Sequence, residues 1–271
     1  MLTIAGFDPS GGAGVIADVK TFSAFNCFAT AAVTSLTYQN TLGVFGAVHQ
    51  TAESVRAQVV PIVEDFQVAG VKTGMLPTRE VIEEVARLLR ETTLPAPVVD
   101  PVVRSTSGFD LIDDEALNSL TKELFPLSCL VTPNIPEAER ITGLTIEDEA
   151  GMRRAASTIR NMGAGAVLIK GGHLRTKNSE LGTQDSEVNI SAVDVLDDHG
   201  CVEVFRGDWI ESTSTHGTGC TLSAAIAACL SRGERLNDAV GIAKRFVSEA
   251  IRSAPGLGHG HGPVNHNIRG F

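Results

Sequence analysis

The sequence predicts an α/β protein built on a mostly parallel sheet with helices on both faces. Two observations carry this. Short β-rich apolar runs end one after another in a polar or glycine-rich element, and segments of helical period usually follow them. That alternation is the signature of parallel strands joined by helical crossovers.

Taken in order, Leu2-Thr3-Ile4-Ala5 runs into the loop Gly6 to Gly14, and Val15, Ile16, Val19 and Phe22 then recur with helical period. Val68 to Val71 reads as a strand ending at Lys72-Thr73-Gly74. An amphipathic helix follows, with Val81, Ile82, Val85, Leu88 and Leu89 on one face. Val98-Val99 ends at Asp100-Pro101, Leu130-Val131 at Thr132-Pro133-Asn134, and Ala166 to Ile169 at Lys170-Gly171-Gly172. Residues 174–191 are polar and read as a loop. Val193 to Leu196 and Val202 to Phe205 flank a glycine-containing turn, the pattern of an antiparallel hairpin. Leu222 to Leu230 is Ala-rich and apolar on most faces, a buried helix that Gly233 can stop. With no repeat and no linker, residues 1–271 form one expected domain.

The 271 residues are 43% hydrophobic and 20% charged, enough to bury a core. A net charge of -10 argues against a nucleic-acid partner. The five cysteines are scattered without a CxxC pair, which fits a reducing compartment rather than a disulfide framework or zinc site. The N-terminus lacks the basic flank of a signal peptide, and no apolar run approaches the ~20 residues that span a bilayer. A soluble cytoplasmic protein is expected.

In folds of this class, ligands bind beyond the carboxyl ends of the strands. Asp8, Lys72, Asp100, Asn134 and Lys170 all fall at expected strand ends and form a candidate rim. The strongest motif is Thr215-His216-Gly217-Thr218-Gly219-Cys220-Thr221. Its glycines allow close backbone approach, and a helix start offers free N–H groups and a positive dipole end to an anion such as a transferring phosphate. The same residues also suit a tight loop before a core helix. Neither GxxxxGK[ST] nor GxGxxG is present there. Cys220 sits where the dipole would lower a thiol pKa, so it can be a proton acceptor or a plain structural cysteine. Asn134 and Glu137 can orient water around magnesium, or simply cap a helix that begins near Pro136. His259, His261 and His266 have no carboxylate or thiolate beside them, which favours a closing C-terminal loop over a metal cluster.

These motifs, in this order, resemble the hydroxymethylpyrimidine and phosphomethylpyrimidine kinases of thiamine biosynthesis, within the ribokinase-like superfamily. The resemblance spans almost the whole chain. It rests on Ala5 to Gly14, Gln39 to Gly43, Lys72 to Leu76, Asp100-Pro101-Val102, Thr132-Pro133-Asn134 with Glu137-Ala138-Glu139, Lys170 to His173, His216 to Leu222 and Gly260 to His266. It implies a three-layer ribokinase-like fold, usually a homodimer, that uses ATP and Mg2+ to phosphorylate a hydroxymethylpyrimidine and then its monophosphate. It also implies residue roles. Gln39 would read the pyrimidine edge, an amide offering both donor and acceptor. Gly6, Met75 and Val102 would line the pyrimidine pocket, with Asp8 beside them. Gly217, Thr218 and Gly219 would form the anion hole, and Cys220 would be the base where sugar kinases carry Asp. Lys170, Asn134, Thr215 and Lys244 would serve the nucleotide and its phosphates. Glu137 and Asp100 would hold magnesium through water. Phe7 departs from the family, which often has Ser there, and the polar loop at 174–191 is longer than expected. No fused domain is visible, so a bifunctional enzyme is not expected. Two other readings stay open: a pyridoxal or pyridoxine kinase of the same subfamily, and a pyrimidine-binding sensor without catalysis.

Overall fold

The computed structural model describes residues 1–103, 111–172 and 191–271. The chain opens with β1 (Leu2–Phe7), α1 (Gly14–Ala24), β2 (Thr30–Asn40), β3 (Gly43–His49) and α2 (Ala52–Asp65). It continues through β4 (Val71–Thr73), α3 (Arg79–Glu91), β5 (Val98–Val99), α4 (Asp114–Ser119), β6 (Leu130–Val131), α5 (Ile135–Thr142) and α6 (Glu149–Asn161). It closes with β7 (Ala166–Lys170), β8 (Ser191–Asp198), β9 (Cys201–Asp208), α7 (Thr218–Ser231) and α8 (Leu236–Arg252).

The nine strands form one sheet in the order β3-β2-β1-β4-β5-β6-β7-β8-β9. The six strands from β2 to β7 in that order pair in parallel, while β3, β8 and β9 are antiparallel additions at the edges. The expected α/β architecture is therefore present, with helices on both faces. Adjacent strand residues explain the layers, because successive side chains point to opposite faces. Val99, Val131, Val167 and Ile169 pack with α2 to α6, whereas Val98, Leu130 and Leu168 pack with α1, α7 and α8.

The order of strands places the site. After β3 the chain crosses back to β4 on the other side of β1, so the winding direction changes between β1 and β4. A crevice opens beyond the carboxyl ends of two such strands.

Three local readings change. The strand expected at 68–71 is instead Val71–Thr73, because parallel pairing of Leu2 with Val71 and of Ile4 with Thr73 draws Lys72 inside it. Lys72 is thus fully buried rather than on the rim. The sequence pattern assigns no element to residues 30–65, yet β2, β3 and α2 lie there. The hairpin expected beyond residue 191 forms as β8 and β9, with Asp198 opposite Cys201, and it extends the main sheet through β7. Of the polar loop expected over 174–191, residues 174–190 lie outside the described residues, and Ser191 begins β8.

Candidate active site

The glycine-rich run forms the start of α7, as its spacing predicts. Gly217 is the N-cap residue at φ 80°, and no side chain caps the helix. An uncapped first turn presents N–H groups and the positive end of the helix dipole. Gly217 also meets the N-terminal loop. A Cβ there would lie 1.8 Å from the Gly12 carbonyl oxygen, and one on Gly12 would lie 2.5 Å from His216 Cδ2. The two glycine loops interlock because neither carries a side chain.

Asp8 ties them together. Its Oδ2 accepts from the Ala13 N–H at 2.8 Å and lies 2.8 Å from His216 Nε2. Its Oδ1 accepts from the Ser10 N–H at 2.8 Å and the Ser10 hydroxyl at 2.7 Å. Both oxygens are therefore engaged by the protein itself. Burial acts to raise the Asp8 pKa, but hydrogen bonds from His216 and Ser10 outweigh it and hold the group at about 2. A carboxylate lowered in the folded state stabilises the fold above its unfolded value of 3.8, and that stability is lost as pH falls toward 2. Asp8→Asn should therefore cost roughly 2 kcal/mol at neutral pH and flatten urea-denaturation stability between about pH 4 and pH 2.

Two of the expected substrate positions meet at the carboxyl ends of β1 and β4: a Cβ on Gly6 would lie 3.2 Å from Met75 Sδ, so these residues pack against each other. The Thr34 hydroxyl donates to the Met75 carbonyl at 2.6 Å, and the Thr37 hydroxyl donates to the Phe7 carbonyl at 2.9 Å. Two register irregularities fall at predicted substrate residues: one between Ala5 and Gly6, the other between Tyr38 and Gln39. Such bulges re-aim side chains and recur beside active sites. Val102 lies just past β5, its N–H donating to the Asp100 carbonyl at 2.8 Å. The C-terminal loop closes over the β2–β3 turn, where the His261 N–H donates to the Thr41 carbonyl at 2.8 Å. His266 is buried, with Nε2 3.0 Å from the Thr221 hydroxyl. Among the described residues no group of three or more His, Cys, Asp or Glu is placed to hold a metal ion.

Along β5, β6 and β7 the charged groups converge. Lys170 Nζ pairs with Asp100 Oδ1 at 2.8 Å, and a Cβ on Gly219 would lie 3.0 Å from that ammonium. Lys170 thus lies against the first turn of α7. The Thr132 hydroxyl links Asp100 at 3.3 Å to Ser223 at 2.8 Å, and Ser223 donates to the Gly219 carbonyl at 3.0 Å. This buried chain fixes Asp100 relative to the first turn of α7. Asn134 and Glu137 form a capping box on α5. The cap is real, yet it leaves Glu137 buried near Lys170 and Asp100. Burial raises the Glu137 pKa to about 7 against the pull of Lys170. Burial also acts to raise Asp100, but the Lys170 and Lys72 ammonium groups hold it below its ordinary value. The Thr215 carbonyl accepts from the Thr218 hydroxyl at 3.1 Å, closing the turn into α7.

Lys244, expected near the nucleotide, pairs with Asp194 and donates to the Ala192 carbonyl at 3.0 Å. Asp194 in turn accepts from the Gly171 N–H at 3.0 Å, so Lys244 braces the end of β7 through it. Cys220 lacks the lowered pKa that a helix start suggests. Burial pushes its thiol up to about 12, opposed by the Lys72 ammonium and by the Gly14 N–H. Desolvation of the thiolate outweighs both. His216, Thr132, Ser223 and Asp194 carry positioning roles that sequence reasoning missed. For Ser223 in α7 and Asp194 in β8 the one legible signal is a polar residue inside an otherwise apolar element.

Comparison with known proteins agrees with this geometry. A model of the phosphomethylpyrimidine kinase family matches residues 8–265. The hydroxymethylpyrimidine/phosphomethylpyrimidine kinase of Bacillus subtilis is 42% identical over 98% of this chain and 93% of that protein. The thiamine biosynthesis bifunctional protein ThiED of Geobacter sulfurreducens is 45% identical, and the chain spans 52% of its length. Among solved structures, phosphomethylpyrimidine kinase from Clostridium difficile superposes with a TM-score of 0.77 at 39% identity, covering 92% of this chain and 98% of that one. An ADP complex of Bacillus subtilis pyridoxal kinase reaches 0.84 at 35% identity, covering 98% and 96%. Glycine loops locked at a helix start, a crevice at the β1/β4 switch and a full-length family match converge: the chain belongs to the phosphomethylpyrimidine kinase family.

Proposed function

We propose that this kinase uses ATP to phosphorylate the hydroxymethyl group of 4-amino-5-hydroxymethyl-2-methylpyrimidine and then the resulting monophosphate, in thiamine biosynthesis. The observation that carries the reading is the α7 start. Gly217 to Cys220 stands between the β1/β4 crevice and the Lys170–Asp100 pair, so acceptor and phosphate donor can meet over one anion hole.

In this reading Gly6, Met75, Val102 and Gln39 hold the pyrimidine, and Asp8 acts from behind by fixing the loop. The N–H groups of Gly217, Thr218 and Gly219 receive the transferring phosphoryl group. Cys220 takes the hydroxymethyl proton as the new oxygen–phosphorus bond forms. The bond from the γ-phosphorus to the bridging oxygen breaks, and ADP leaves with that electron pair. Lys170 leans from Asp100 toward the phosphates. The donor set fits magnesium that arrives on the nucleotide: two carboxylates, Asp100 and Glu137, with no third among the described residues. Bound there, the ion would neutralise phosphate charge. Glu137→Gln keeps an acceptor for the Asn134 N–H and so keeps the cap. It should raise the KM for Mg-ATP about tenfold with little change in thermal stability, measured by steady-state kinetics and calorimetry.

Incubation with Mg-ATP and the hydroxymethylpyrimidine, followed by phosphorus NMR, should show monophosphate and then diphosphate. Absence of both products sinks the reading. Pyridoxal phosphorylation is the second reading, favoured by the fit to the pyridoxal kinase structure. A non-catalytic sensor would bind the pyrimidine without consuming ATP. The protein is further proposed to be a cytoplasmic homodimer. Leu36, Tyr38, Phe45 and Val48 leave exposed apolar side chains on the β2–β3 hairpin, which a second copy could cover. Light scattering at twice the chain's mass is the expected result. No helix among the described residues is long and apolar enough to cross a membrane.

A further inference from the structure

The most unusual buried group is Lys72. It lies in the middle of β4 between Val71 and Thr73, with no exposed surface, on the sheet face covered by α1 and α7. Its Nζ pairs with Asp18 Oδ2 of α1 at 2.9 Å, and both side chains are wholly buried. The Thr3 hydroxyl donates to the same Oδ2 at 2.6 Å. Asp18 Oδ1, by contrast, is buried without a partner. A buried ion pair gains little net stability, since desolvating two charges offsets their attraction. Here the pair is also incompletely satisfied, so stability alone is a poor reason for it.

What the pair faces supplies a reason. A Cβ on Gly70, just before β4, would lie 3.0 Å from Ser231 at the C-terminal end of α7, and α7 packs on β4, so the first turn of α7 with Cys220 lies beside the carboxyl end of that strand. A Cβ on Gly74 would lie 2.9 Å from Lys72 Nζ, so the ammonium reaches the carboxyl end of β4, where the crevice opens. We infer that Lys72 is a positioning residue, an internal counter-ion held by Asp18 for the negative charge that forms on Cys220 during phosphoryl transfer. The charges around the sulfur come from four elements: Lys72 on β4, Asp18 on α1, Asp100 after β5 and Lys170 on β7. They pair as Lys72–Asp18 and Lys170–Asp100. Lys170 is the cation the nucleotide phosphates can recruit. Lys72 is sealed in the core and stays with the sulfur. When Cys220 ionises, one proton leaves the sulfur and the added charge faces an ammonium already in place. Such preorganised charge requires no rearrangement during the reaction.

The consequence for turnover rests on the kinase reading, but the test does not. The thiolate is the form that alkylates. Iodoacetamide, a neutral reagent, is applied across pH to the intact protein, and modification is resolved at Cys220 by peptide mass spectrometry. Lys72→Met should slow Cys220 alkylation about tenfold at pH 8 and move its pH midpoint upward. Asp18→Asn, which frees the ammonium from its partner, should move both in the opposite direction. A merely structural pair predicts the same change from both variants, through loosening of the site. Should Lys72→Met fail to fold, the double variant Asp18→Asn/Lys72→Met replaces the pair as a unit, and its alkylation should be at least about tenfold slower than that of Asp18→Asn alone. Alkylation as fast as in the parent, or faster, in the folded Lys72 variant overturns the inference. Loss of kinase activity with the alkylation profile unchanged likewise overturns it, whatever the true substrate.

Discussion

Cys220→Ala is expected to lower kcat on the hydroxymethyl acceptor by ~10²–10³-fold while leaving its KM within about threefold. The reasoning starts from the acceptor. A primary alcohol holds its proton at neutral pH and must lose it as its oxygen attacks phosphorus. Phosphoryl transfer has a loose transition state, so a base helps moderately rather than overwhelmingly. The monophosphate acceptor differs, because its attacking oxygen is already ionised near neutral pH. The same substitution should therefore cost the second phosphorylation less than about tenfold. Steady-state kinetics on both acceptors measures the contrast. Equal losses on the two would assign Cys220 to the anion hole rather than to proton transfer. The thiol, pushed up to about 12 by burial, gives the pH profile its sign. Activity on the alcohol should rise with pH through the neutral range, and Cys220→Asp should flatten that rise.

Gly217→Ala is expected to abolish measurable turnover and to cost about 2 kcal/mol or more of stability. Two effects combine. The residue has a φ of 80°, a region that L side chains rarely adopt, and its Cβ would lie 1.8 Å from the Gly12 carbonyl oxygen. The second effect cannot be relieved without separating the two glycine loops, which would take the anion hole apart. Gly233→Ala is the control. Its φ is 88°, yet nothing lies within 4 Å of the added Cβ. It should cost only about 1 kcal/mol and leave kcat unchanged. Urea denaturation and kinetics on the two variants separate strain from interlocking.

Much of this molecule is legible in its sequence, for physical reasons. Parallel strands buried on both faces leave compact apolar runs, so β1, β5, β6 and β7 announce themselves along with the polar residues at their ends. The helix start at Gly217 is legible because only glycine permits such close approach. What escapes is whatever depends on a partner distant in sequence. Lys72 reads as a strand end, because a charge seldom occupies a strand core; Asp18, fifty-four residues earlier, makes it tolerable there. The β2–β3 hairpin escapes because it carries polar Thr30, Thr34, Ser35 and Thr37 among exposed apolar residues, without a clean period. Asp8 falls at an expected strand end, and the resemblance alone puts Lys244 near the nucleotide. Only the structure shows their side chains engaged by His216 and Asp194.

The identity of the acceptor is tested most directly by measuring kcat/KM with Mg-ATP for the hydroxymethylpyrimidine, its monophosphate and pyridoxal on the same preparation. The expected result is efficient use of both pyrimidines, with pyridoxal at least about tenfold poorer. A preference for pyridoxal, or turnover of neither pyrimidine, would contradict it.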